Sequence, residues 1–130
     1  MNRYKQREQA FLLVFEKSFS ANESEDLCEI FEENIEPLGD YAKELFNGVC
    51  EKCDELDSNI EKYSNSWKIH RIPKVNVAIL RLAIYEIIFV GDTPSSVAAN
   101  EAVELAKKYS GKEDASFING ILGSLIRSME

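Results

Sequence analysis

Apolar residues return every three to four positions along most of the chain, the spacing that gathers side chains on one face of an α-helix. The first helix is predicted over about residues 4–19, with Phe11, Val14, Phe15 and Ser18 marking a face. Ser20, Asn22 and Ser24 then supply breakers and N-caps for an acidic helix over 25–35, whose stripe is Leu27, Ile30 and Phe31. Pro37 and Gly39 separate it from a longer helical stretch over 40–63 that carries Leu45, Phe46, Val49, Leu56 and Ile60. A short turn or helix containing Trp67 follows over 66–70. Ile72 and Pro73 open a helix over 74–90 that is apolar almost all round, which marks it as the central core element. In the next loop Thr93 is a natural N-cap and Pro94 suits the first helical position. A helix over 95–110 sets Ala98, Ala102, Leu105, Ala106 and Tyr109 on one face, and Gly111 is its expected cap. The last helix, over 113–129, is expected to bury Ile118, Ile121, Leu122, Leu125, Ile126 and Met129. Six or seven helices and no internal repeat predict an all-α domain.

Composition narrows this picture. The 130 residues suit one domain, and 45% hydrophobic with 29% charged residues is a globular balance. Six glycines and three prolines are too few for a strand-and-turn protein. The longest apolar run, 75–90, is interrupted by Asn76, Arg81 and Glu86 and is too short to span a bilayer, so no membrane association is expected. No cleavable leader is read at the start of the chain, and three cysteines, an odd number, fit a reducing cytoplasm better than a disulfide framework.

The net charge of −8, taken in bulk, argues against a nucleic-acid binder. Its distribution changes that. Residues 1–19 carry a net +2, residues 20–61 a net −12, residues 62–81 a net +5 with no acid at all, and residues 82–130 a net −3. A fold could therefore present basic and acidic faces separately, although solvated helix surfaces are the ordinary explanation for such runs.

Chemistry is sparse. Cys50 and Cys53 form a C-x-x-C pair that Cys28 and the lone His70 could complete as a zinc site, but the spacing of the latter two is arbitrary, and small buried thiols with no metal are the simpler reading. No nucleophile elbow, P-loop, dinucleotide-binding or zinc-protease motif is present, which points away from an enzyme and from any cofactor. Binding features stand out more. Phe117 falls about 100° from the centre of the last helix's core stripe, with Gly120 and Ser124 on the same flank, so an edge aromatic sits above two small residues. The competing explanation is packing against a neighbouring helix. Arg3, Lys5 and Arg7 form a short basic arm that could track phosphates or simply fray.

VNVAILRLAIYEI at 75–87, the segment DTPSSVAANEAVELAKKYSGKEDASFINGILGSLIR at 92–127, REQAFLLVFEKSF at 7–19 and the Trp67 turn together resemble the NusB family of transcription antitermination proteins. The likeness spans essentially the whole chain. It implies two perpendicular three-helix subdomains, about 1–72 and 73–130, around a shared core. It also implies a function without catalysis: binding boxA RNA of nascent ribosomal RNA jointly with NusE, a small-subunit ribosomal protein, and joining other Nus factors on RNA polymerase to suppress termination. By the same resemblance RNA contacts fall on Arg3, Lys5, Arg7, Tyr63, Phe117, Asn119 and Gly120, and NusE contacts near Phe15 and Asn76. Arg81 and Glu101 are expected to form a partly buried ion pair between helices. Two other readings are an auxiliary domain like the N-terminal part of ribosomal RNA cytosine methyltransferases, and a helical adaptor that self-associates as a homodimer.

Overall fold

The computed structural model describes residues 1–65 and 67–130; Ser66, at the start of the turn expected over 66–70, lies outside them. Among the described residues all regular structure is helical. Helix α1 (Arg3–Lys17) starts where the Asn2 side chain accepts a hydrogen bond from the Lys5 amide at 2.8 Å, a local cap for one of the helix's unpaired donors. Helix α2 (Ser24–Asn34) buries Leu27, Cys28 and Phe31 and leaves Ile30 facing outward.

The stretch expected as one helix over 40–63 is two. Helix α3 (Asp40–Glu51) and helix α4 (Cys53–Tyr63) meet at Lys52, whose backbone (φ −103°, ψ 15°) departs from helical geometry. Leu45, Phe46 and Val49 face α1 and α5, while Leu56 and Ile60 reach the core on the far side of α5. One straight rod could not serve both surfaces. A short 3-10 turn (Ile69–Arg71) leads to Pro73 and helix α5 (Lys74–Tyr85), which widens into a π-turn over Glu86–Val90. Gly91 closes it at φ +72°, a left-handed conformation that glycine adopts without penalty, and its amide reaches back to the Glu86 carbonyl at 3.1 Å. Helices α6 (Ser95–Tyr109) and α7 (Lys112–Ser128) complete the chain.

Helix α5 is the spine, with Val77 to Leu80 and Leu82 to Ile84 all buried. Helices α1 to α3 pack around one side of it; α4, α6 and α7 pack around the other. Helix α4, although it lies before residue 72, packs more against α5 and α7 than against α3.

Three expectations of polar detail change. Arg81 does not pair with Glu101: its guanidinium grips Asp57 at 2.7 and 2.9 Å and so joins α5 to α4. Thr93 does not cap α6, since its hydroxyl faces Asp92 and Glu86 instead. Met129 lies exposed one residue past the end of α7, where nothing remains to cover it.

Candidate nucleic-acid interface

The basic arm is the first place where tertiary structure overrides sequence. Arg3 is exposed, but its guanidinium meets Asp92 at 3.1 and 3.3 Å and lies 3.8 Å from the centre of the Tyr41 ring. Lys5 reaches Glu36 at 3.3 Å and Glu8 at 3.6 Å. Arg7 is withdrawn altogether. Its side chain is 8% exposed and forms a two-pronged pair with Glu86, which also accepts a 2.6 Å hydrogen bond from the Tyr41 hydroxyl. Burial by itself would lower the Arg7 pKa, but the hydrogen bonds and charge of Glu86 raise it on balance, so the guanidinium stays ionised. The expected phosphate contact at Arg7 is thus corrected to a structural one, because releasing it would strand a buried carboxylate.

The face formed by the end of α4, the linker after it and the edge of α7 is different. Phe117 is partly buried and meets the ring of Trp67 edge-on, with centroids 6.4 Å apart. Gly120, next along that flank, is exposed, and a methyl group added to it would meet nothing within 4 Å. Tyr63 is hydrogen-bonded through its hydroxyl to Ser128 at 2.9 Å, with the Lys62 ammonium 5.3 Å from its ring centre. The Ser128 bond and the nearby lysine hold the phenol pKa below its ordinary value. Since Ser128 lies three turns beyond Phe117, the two aromatic sites are about 16 Å apart along α7 and cannot clamp a single base. Between them run Gly120 and Ser124.

Asn119 does not join this flank. Two helical positions from Phe117, it turns to the opposite side of α7 and lines an open cleft with Asn100, Lys107, Lys112 and Ser116. The cations complete the contrast: among the described residues Lys62, Lys68, Arg71, Lys112 and Arg127 are exposed and none is paired with a carboxylate. Each charged residue of the arm is so paired. Lys62, Lys68, Arg71 and Arg127 stand on the elements that carry the aromatics, Lys112 lines the Asn119 cleft, and the remaining cations without a carboxylate partner lie elsewhere, Lys52 over the Phe89 ring and Lys74 over the Phe19 ring, with Lys17 on the Asn22 carbonyl.

Of the two positions expected to face a protein partner, Phe15 is at the surface, stacked on Phe11 and edge-on to Phe19. It continues into an apolar groove with Leu12, Ile30 and Ile35 between α1 and α2. Asn76 is corrected: it is buried, donating to Asp114 at 3.0 Å and accepting from the Ser110 hydroxyl at 3.1 Å. It ties the start of α5 to the α6–α7 corner and is not available to a partner.

Sequence reasoning placed Trp67 in a turn and gave it no role. Its signal was present, because a lone tryptophan outside every apolar stripe and within the block that has no acids has no core position to fill. The thiols of Cys28, Cys50 and Cys53 are free, and burial pushes each pKa up. Among the described residues no three histidine, cysteine or carboxylate side chains converge as a metal site, and no helix is long and apolar enough to cross a membrane.

The family model described as "NusB family" matches residues 4–127. A transcription antitermination protein NusB of Clostridium acetobutylicum is 48% identical over 133 residues, covering 100% of this chain and 98% of that protein. Among solved structures, one of the antitermination factors NusB and NusE in complex with double-stranded RNA superimposes with a TM-score of 0.85 at 30% identity, covering 98% of this chain and 99% of that one. The NusB of T. maritima gives 0.83 at 32% identity, covering 98% and 92%. With seven α-helices among its described residues, its α5 spine and a likeness that runs over nearly its whole length, the chain belongs to the NusB family.

Proposed function

We propose that this protein is a non-enzymatic antitermination factor of the cytoplasm that binds boxA RNA in nascent ribosomal RNA transcripts together with NusE, and with other Nus factors suppresses termination by RNA polymerase. The observation that carries this reading is the coincidence, on one face, of partly exposed aromatics with the unpaired cations Lys62, Lys68, Arg71 and Arg127, while Arg3, Lys5 and Arg7 of the arm are each paired with a carboxylate. Single-stranded RNA is recognised by stacking splayed bases on aromatic rings and holding phosphates with Lys and Arg. Phe117 supplies one platform and Tyr63 another, the open backbone at Gly120 lets the strand lie close between them, and Lys62 and Arg127 flank the path. Asn119 and Lys112 serve the strand where it crosses to the α6 side of α7. Arg3 and Lys5 add phosphate contacts beyond this track.

NusE is assigned to the apolar surface of α1 around Phe15 and Phe19, away from the RNA track. With a net charge of −8 the overall field repels RNA, so affinity depends on local contacts and on NusE.

The test is a titration of labelled boxA RNA against the protein and its Phe117→Ala variant, with and without NusE. The expected result is weak binding alone, tighter binding with NusE, and a loss of about 1–3 kcal/mol in the variant under both conditions. Equal affinity of variant and wild type would remove the stacking role.

A further inference from the structure

The linker between α4 and α5 carries a feature that the aromatic track along α7 does not use. Trp67 is 51% exposed, although burial of so large a ring is one of the main ways a small domain gains stability. It packs edge-on to Phe117 at an interplanar angle of 73°, so the two rings form an open corner. Asn65, Lys68 and Arg71 line a shallow concavity with it, and both cations are exposed and unpaired. Trp67 and Ile69 are tied back to the end of α4 through their backbone. The Ser64 hydroxyl donates to the Trp67 carbonyl at 3.1 Å, the Trp67 amide reaches the Ser64 carbonyl at 3.2 Å, and the Ile69 amide donates to the Glu61 carboxylate at 2.9 Å. Buried Ile72 anchors the far end of the linker. An aromatic held this firmly, yet left open and flanked by two free cations, is arranged for a planar, anion-bearing ligand.

From this arrangement we infer that the linker stretch 67–71 is an additional RNA-contact element: Trp67 stacks the base next to the one on Phe117, while Lys68 and Arg71 hold the phosphates on either side of it. The inference rests on the RNA-binding reading above and extends the track by one nucleotide at its Phe117 end. The perpendicular setting of the rings has a geometric consequence. A base lying on one ring presents its edge to the other, so two successive bases are turned relative to each other and the strand bends as it leaves α7. Asn65, beside the corner, offers an amide for the exposed edge of the outer base.

Trp67 is the only tryptophan in the chain, so it reports on its own contact. In the experiment, boxA RNA is added to the complex with NusE freed of tryptophan by substitution. Binding is followed both by anisotropy of the labelled RNA and by Trp67 emission. The expected result is quenching of the emission that saturates at the same RNA concentration as the anisotropy change. Trp67→Leu, which keeps apolar contact with Phe117 and removes the aromatic face, should weaken binding between about 5-fold and 100-fold, and Trp67→Phe should restore most of it. Lys68→Ala together with Arg71→Ala should lower the slope of log affinity against log salt by about 1.4, the single-strand value for two phosphates. Binding that is sensitive to Phe117→Ala but leaves Trp67 emission and Trp67→Leu affinity unchanged would overturn the linker's role and leave the RNA-binding reading standing. Absence of any anisotropy change for the wild-type complex would overturn both.

Discussion

Arg7 and Glu86, separated by most of the chain, meet through three hydrogen bonds of 2.8–3.0 Å with their side chains 8% and 2% exposed. The pair joins the start of α1 to the end of α5, and Tyr41 of α3 closes it from a third side. Burial and the Glu86 bond push the Tyr41 phenol pKa far above its ordinary value, which keeps it a donor. Removing one partner leaves the other charged and dry, a loss of about 3–5 kcal/mol. Arg7→Ala should therefore lower the melting temperature by about 10 °C or more. In the folded protein it should leave the salt dependence of RNA binding as it was. A variant that melts like wild type but loses about 0.7 in salt slope would return Arg7 to the phosphate contacts.

On the proposed reading, Asp92 competes with RNA for Arg3. The carboxylate sits 3.1 Å from the guanidinium at the surface, where solvent screens such a pair and RNA phosphate can displace it. Asp92→Asn removes the competing charge and leaves the Tyr41 ring in place to orient Arg3. Affinity for boxA RNA should rise up to about 5-fold, with a steeper salt dependence. Fluorescence anisotropy at two salt concentrations measures both, and unchanged affinity would show that Arg3 makes no phosphate contact.

Helices α1, α2, α5, α6 and α7 were legible because hydrophobic periodicity is a local property, and their ends fall within a few residues of the expected positions. The break at Lys52 was hidden for the same reason: Leu45, Val49, Leu56 and Ile60 stay in phase across it, so the stripe reads as one rod. The position of Phe117 at the edge of the core was legible from its offset on α7. The fate of the charges was not. Arg3, Arg7 and Asn76 find their partners at Asp92, Glu86 and Asp114, and no spacing within a single sequence encodes those meetings. Basic residues that looked free proved to be paired, and two of the cations left over, Lys68 and Arg71, stand beside a tryptophan that had seemed incidental.

Gly48 of α3 lies directly against the Tyr85 ring of α5. A methyl group at this position would overlap the Tyr85 ring, which explains a glycine in a helix interior where alanine would otherwise be favoured by about 1 kcal/mol. Gly48→Ala should destabilise the protein by about 1–3 kcal/mol through overpacking. Combining it with Tyr85→Leu should recover part of the loss. Denaturant titration of the single and double variants measures this, and a stabilised single variant would mean that the ring moves aside freely.

Acid stability provides a test of the Glu8 cluster. The carboxylate is 7% exposed, accepts hydrogen bonds from Lys108 and from the Tyr109 hydroxyl, the latter at 2.8 Å, and lies 3.6 Å from Lys5. Burial would raise its pKa, but these bonds and the lysine charges outweigh burial and bring it below the ordinary 4.5. A carboxylate whose folded pKa is depressed binds fewer protons folded than unfolded. Its stabilisation is therefore complete above the ordinary value and disappears as pH falls through the folded one. Asp114, held low by Ser110 and Asn76, acts in the same direction from an ordinary 3.8. Melting temperature should thus fall between roughly pH 5 and pH 2. Glu8→Gln should be less stable than wild type at pH 7, and the gap should close as the pH is lowered through this window, because protonation abolishes in the wild type what the substitution has already removed. A gap that stays constant from pH 7 to pH 3 would mean that Glu8 acts through its packing and not through its charge.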